Sequence, residues 1–94
     1  MTFVLIHGGG MTARFWARLM PALDGKALAV NLPGRADRPA DLATLSVDEE
    51  VASVVRDIEN AAPDGPLTLV AHSSGGLVVP GVVAALKARI AAVV

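Results

Sequence analysis

The chain has no cysteine, which excludes a disulfide framework and a thiolate metal site and fits a cytoplasmic protein without requiring one. Its formal net charge of −1 leaves no basic excess for a nucleic-acid partner. Long apolar runs are missing too. The longest, residues 77–86, is about half of the roughly 20 residues a membrane span needs, and Pro80 and Gly81 interrupt it. No transmembrane helix and no membrane partner are therefore expected. Met1 and Thr2 lead straight into an apolar segment with no basic stretch or cleavage site, so no secretory leader is expected and the expected location is cytoplasmic. What is present is 94 residues with 53% hydrophobic content, a globular composition of at most one domain.

The pattern predicts strand 3–6, a helix over about 13–23, strand 27–32, a Pro/Asp/Arg-rich loop over 33–45, a helix over about 47–61, strand 67–71, a helix over about 74–87 and strand 90–94. That alternation of short apolar strands with helices is α/β, with parallel strands covered on both faces. The helix over 47–61 is the best defined. Ser46 and Glu49 form a capping box, Asp48, Glu49 and Glu50 fill its first turn, and Val47, Val51, Val54, Val55 and Ile58 share one face. Pro63-Asp64-Gly65-Pro66 ends it, a turn that neither helix nor central strand tolerates. The first helix is expected to bury Phe15, Trp16, Leu19, Met20 and Leu23, bent at Pro21.

The chemistry lies in residues 67–76, where the apolar strand Leu67-Thr68-Leu69-Val70-Ala71 runs into His72-Ser73-Ser74-Gly75-Gly76. A nucleophile elbow, G-x-S-x-G, needs a strand, a strained turn that carries the serine at positive φ, and a helix start packed close to the strand. Small residues must flank the serine. Ala71 and Gly75 do so around Ser73, with alanine in place of the first glycine. Ser73 is the candidate nucleophile; Ser74 is adjacent but lacks this offset from both small residues. Earlier, Phe3-Val4-Leu5-Ile6 ends in His7-Gly8-Gly9-Gly10. Glycines there let the backbone turn away from a strand and present N–H groups to a developing negative charge. A phosphate-binding turn is the alternative, but the G-x-G-x-x-G spacing and a P-loop lysine are absent. Asn31-Leu32-Pro33-Gly34-Arg35 closes another strand.

Together these segments resemble the α/β-hydrolase family, in which an HG loop, a D-L-P-G-x-G segment and the elbow follow in this order. Asn31 stands where the family commonly has Asp, and Ala36 replaces the last glycine of the middle segment. The resemblance implies a doubly wound, mostly parallel sheet in which strands 3–6 and 67–71 flank the reversal of strand order, so that the loop of residues 7–10 and Ser73 face one crevice. It further implies oxyanion donors on the backbone of Ser74 and of Gly9, with Gly10 the alternative, on a supporting loop of His7, Gly8 and Gly10. His7 would be a structural histidine and His72 a packing residue, each with the alternative role of base. The N-terminus of the helix over 74–87 would add partial positive charge at the reacting centre.

The family's order is Ser, then Asp or Glu, then His, and no Asp, Glu or His follows Ser73. Residues 1–94 thus read as an N-terminal portion of a family catalytic domain, ending after the elbow and the following helix and strand. The expected function is a serine hydrolase acting on a small carboxylic ester through an acyl-enzyme on Ser73, without cofactor or metal, in the complete protein. The alternatives are a truncated, non-catalytic chain and a hydroxynitrile-lyase-like activity. Residues 71–79 with Arg89-Ile90 look similar to the methylesterase and hydroxynitrile-lyase-like branch; serine at 73 argues against the dehalogenase and epoxide-hydrolase branches, which use Asp there. Residues 35, 37, 38 and 41 (Arg, Asp, Arg, Asp) form a solvated charged loop in this reading. Strand 90–94 and Leu77, Val78, Val82 and Leu86 would lack covering elements, which favours self-association.

Overall fold

In the computed structural model, which describes residues 1–35 and 38–94, four parallel strands form one sheet: β1 Thr2–Ile6, β2 Lys26–Ala29, β3 Leu67–Ala71 and β4 Ile90–Val93. Ala36 and Asp37, both drawn into the sequence reading, lie outside the described residues. The strand order is β2-β1-β3-β4. The chain steps one way from β1 to β2, then back across β1 to β3 and outward to β4. Right-handed crossovers then put the first connection on one face and the next two on the other, which is the doubly wound arrangement.

Burial follows that layout. Val4 and Ile6 of β1 and Leu67 and Leu69 of β3 join one buried cluster with Val54 and Ile58 of α1 (Val47–Ala61) and Val78 and Val82 at and within α2 (Val79–Ala85). Leu5, which alternation turns to the opposite face, is also fully buried, on the side where the segment after β1 contacts β1 and β2 through the turn that carries buried Trp16. Among the described residues no helix is long and apolar enough to cross a membrane.

α1 spans the expected residues, and its capping box is formed by Ser46 and Glu49. The other two helices differ from expectation. Residues 12–23 wind as successive i to i−3 turns, with 3-10 segments Ala13–Trp16 and Met20–Ala22 and no α-helix. Pro21 has no N–H to give and its ring crowds the carbonyl four residues back, so the stretch cannot settle into i to i−4 bonding. The helix expected over 74–87 opens as a 3-10 segment, Ser73–Leu77, becomes α-helical only at Val79 and closes in another 3-10 turn, Lys87–Arg89. Pro80 is tolerated because it falls in the first α turn, where its missing N–H is not needed. β2 ends at Ala29 instead of 32, although the Val30 amide still bonds the Leu5 carbonyl at 3.2 Å.

Side-chain burial needs three further corrections. Phe15 and Leu19 stay exposed: three residues per turn set Phe15 a third of a turn away from Trp16, and Leu19 falls in the link between the two 3-10 segments. Val47, at the first position of α1, is exposed as well. Val78 and Val82 are already buried against α1, and Leu86 packs beside them, so only Leu77 of the four residues expected to lack cover is exposed.

Candidate active site

The β1–β3 ladder runs one residue past its strands: the His72 amide donates to the Ile6 carbonyl at 3.0 Å. His72 is still extended (φ −114°, ψ 127°), and the next residues form the 3-10 turn, so the whole change of direction falls on Ser73. Its φ is 54°, and among the described residues it is the sole non-glycine with positive φ. The turn then folds back over the end of β1. A Cβ on Gly75 would lie 2.6 Å from the His7 carbonyl oxygen and 2.9 Å from that of Ile6, so glycine is required there for space. Ser73 and Ser74 are both exposed.

The loop after β1 is pinned from below by His7, which is fully buried. Its Nδ1 pairs with the Gly8 carbonyl at 2.8 Å and its Nε2 with the Leu32 amide at 3.0 Å. A carbonyl can only accept and an amide can only donate, so the pairing assigns the proton to Nδ1 and the acceptor role to Nε2. With both nitrogens engaged, His7 ties the loop to the segment that follows β2. A Cβ on Gly8 would come within 3.1 Å of His72 Nδ1 and 3.3 Å of Ser73 Cβ, so the loop rests directly on the elbow. The Gly9 amide donates to Ser74 Oγ at 2.8 Å. Gly10 has φ 71° with open space around it, so glycine serves conformation at that position.

Other residues depart from their expected places. Phe15, expected in the core, stands against the His72 ring, with centroids 4.6 Å apart and planes tilted by 35°. Asn31 Oδ1 accepts from the Ala13 amide at 2.8 Å and so anchors the start of the turn that carries Phe15 and Trp16. Arg38 is not part of a merely solvated loop: it pairs with Asp57 of α1 at 2.8 Å and bonds Ser53 at 3.1 Å. It thereby holds the charged loop against that helix. The start of the last helical segment is a 3-10 turn followed by a seven-residue α-helix, so the aligned peptide dipoles behind Ser73 are fewer than a helix over 74–87 would supply. Two open clefts, of about 460 Å³ beside Pro33, Arg38 and Arg56 and about 480 Å³ beside Pro66 and Ile90, do not include Ser73.

A strand, a positive-φ serine and a glycine-rich loop laid against it are now in place, and residues 3–94 match the alpha/beta hydrolase family. The chain belongs to the alpha/beta hydrolase family. Over 78 residues it is 35% identical to putative methylesterase 14, chloroplastic, of Arabidopsis thaliana, a match that covers 79% of this chain and 22% of that protein. Polyneuridine aldehyde esterase of Rauvolfia serpentina is 30% identical over 79 residues, which cover 80% of this chain and 30% of that protein. An extracellular alpha/beta-hydrolase from a Paenibacillus species superposes with a TM-score of 0.84 at 28% identity, over 99% of this chain and 38% of that one. These relatives set this hydrolase-family chain in the methylesterase-like branch, and its four strands are the N-terminal part of the α/β-hydrolase fold. The matches span about a quarter of the length of the curated relatives.

Proposed function

We propose that these residues carry the nucleophile and the oxyanion donors of a serine esterase, and that within a complete domain they serve hydrolysis of a small carboxylic ester. The observation that carries the reading is Ser73 at φ 54°, its Cβ 3.3 Å from where a Gly8 Cβ would stand, so that the candidate nucleophile and the amide loop lie side by side. Relatives named as a methylesterase and an aldehyde esterase support an ester substrate. In the reaction, Ser73 Oγ bonds to the ester carbonyl carbon and its proton passes to a base. The oxygen that becomes negative is held by the Gly9 and Ser74 amides. The intermediate collapses by breaking the carbon–alkoxy bond, the alcohol leaves with that proton, and water then attacks the acyl-enzyme to release the acid and restore Ser73.

The base and its orienting acid belong to the rest of the domain in this reading. No Asp, Glu or His follows Ser73, and both nitrogens of His7 are engaged. The 94-residue chain alone should accordingly show at most the trace acceleration that an oxyanion hole gives without its base, on the order of 10³–10⁴ over water. The test compares this chain, a protein carrying it within the complete domain, and the Ser73→Ala form of the latter. The complete protein should be labelled at Ser73 by a fluorophosphonate and turn over p-nitrophenyl esters, and Ser73→Ala should remove both, by at least about 10³-fold in turnover. If the complete wild type is as inert as the alanine form on short acyl esters, methyl esters and amides, the esterase assignment is wrong.

A further inference from the structure

The Gly9 amide, the donor that the esterase reading aims at substrate, already has an acceptor inside the protein. It is the hydroxyl of Ser74, the residue after the candidate nucleophile, at 2.8 Å and 65 positions away in sequence. That distance is typical of a well-made N–H···O bond. The loop is in contact with this side chain as well, since a Cβ on Gly9 would lie 3.2 Å from Ser74 Oγ.

We infer that the Ser74 hydroxyl is a built-in stand-in for the substrate's carbonyl oxygen: it occupies the Gly9 donor in the free protein and yields it when an ester binds. The inference rests on the esterase reading for the ligand, and on the Ser74–Gly9 bond alone for the free state. An oxyanion donor is useful only if it is fixed before the charge develops. Three successive glycines, residues 8–10, make this loop costly to order. A hydroxyl acceptor on the elbow orders it without a permanent partner, because exposed Ser74 re-solvates once it lets go. The exchange also favours the right state. A neutral ester oxygen replaces a neutral hydroxyl with little gain, whereas a developing oxyanion accepts a charge-assisted bond about twice as strong.

Ser74→Ala removes the competitor from the free enzyme and leaves the Ser74 backbone amide in place. In the complete protein with p-nitrophenyl acetate, kcat/KM should rise about two- to fivefold through a lower KM, and Ser74→Thr, which keeps the hydroxyl, should retain the wild-type KM. Hydrogen exchange at the Gly9 amide supplies a second readout that needs no turnover: protection present in the wild type should be lost in Ser74→Ala and restored in Ser74→Thr. A KM that stays or rises, or a lower kcat, would make the hydroxyl a permanent loop brace and overturn the hand-over. Gly9 exchange indifferent to Ser74→Ala would overturn the bond itself. If the wild type turns over no ester, the esterase reading falls and takes the hand-over with it, while the exchange data still report on the bond.

Discussion

At Gly75 an added methyl group would meet main chain, the carbonyl oxygens of His7 and Ile6 at 2.6 and 2.9 Å, and neither is free to move, because Ile6 ends β1 and His7, which follows it, is fully buried with both ring nitrogens bonded. In the complete protein Gly75→Ala should therefore cost about 2–3 kcal/mol, the upper part of the overpacking range, and lower the melting midpoint. Ser73→Gly should do the reverse. It relieves a left-handed backbone held by an L-residue and should raise stability by about 0.5–1 kcal/mol while removing the hydroxyl. Paired urea titrations that give the same sign for both variants would refute this account of the elbow. Both positions were legible in the sequence because the elbow demands small residues at fixed offsets from a strand-end serine. The bonds from Gly9 to Ser74 and from Ala13 to Asn31 were not, since contacts between residues 65 and 18 positions apart leave no periodic trace.

Among the elements, α1 was readable to the residue because its cap, its acidic first turn and its apolar face all agree. The partners of its last carbonyls were not readable. The last turn has no basic residue of its own, and its carbonyls are met from elsewhere in the fold: Lys26 of β2 bonds the Ala61 carbonyl, and Arg89, just before β4, bonds the Ala62 carbonyl at 2.6 Å and that of Gly65 at 2.9 Å. The charges that complement this helix end are thus supplied by tertiary structure. The helix that did not form and the one that starts late share another cause: Pro21 and Pro80 each forbid one specific hydrogen bond, and periodicity cannot weigh that loss against packing. α2 keeps its place through Gly81, where a Cβ would stand 2.5 Å from Val51 Cγ2 and 3.3 Å from its Cβ. Valine on a helix has essentially one rotamer and cannot swing aside. Gly81→Ala should thus cost about 1–3 kcal/mol through separation of α1 and α2. Adding Val51→Ala should recover part of that cost, so the double-mutant cycle should show a coupling of at least about 0.5 kcal/mol, and strict additivity would mean that the helices do not meet through this pair.

For the molecule as a whole, the accessible surface of 5268 Å² is close to the roughly 5,100 Å² expected of a folded monomer of this mass. Its difficulty lies at one edge. β4 pairs with β3 on one side only, its last three residues are exposed, Val93 is 51% and Val94 75% exposed, and Leu77 at 65% adds a further apolar side chain. The edge carries no charge between Ile90 and Val94 and no proline or glycine to discourage pairing. Native sheets protect such an edge with lysine, with bulges or with a covering element; the irregularity between β3 and β4 sits at Leu67 and Thr68, opposite the start of β4 and away from its exposed end. The 94-residue chain should accordingly associate edge to edge through β4, and sedimentation should give a concentration-dependent species heavier than the monomer. A lysine at Val93 leaves the buried cluster intact and places a charge on the edge, so Val93→Lys should return the chain to monomer with little loss of helix signal. Monomeric wild type with a cooperative melt would show that β4 needs no partner. Association that persists in Val93→Lys would move the contact to Leu77 and the face around it.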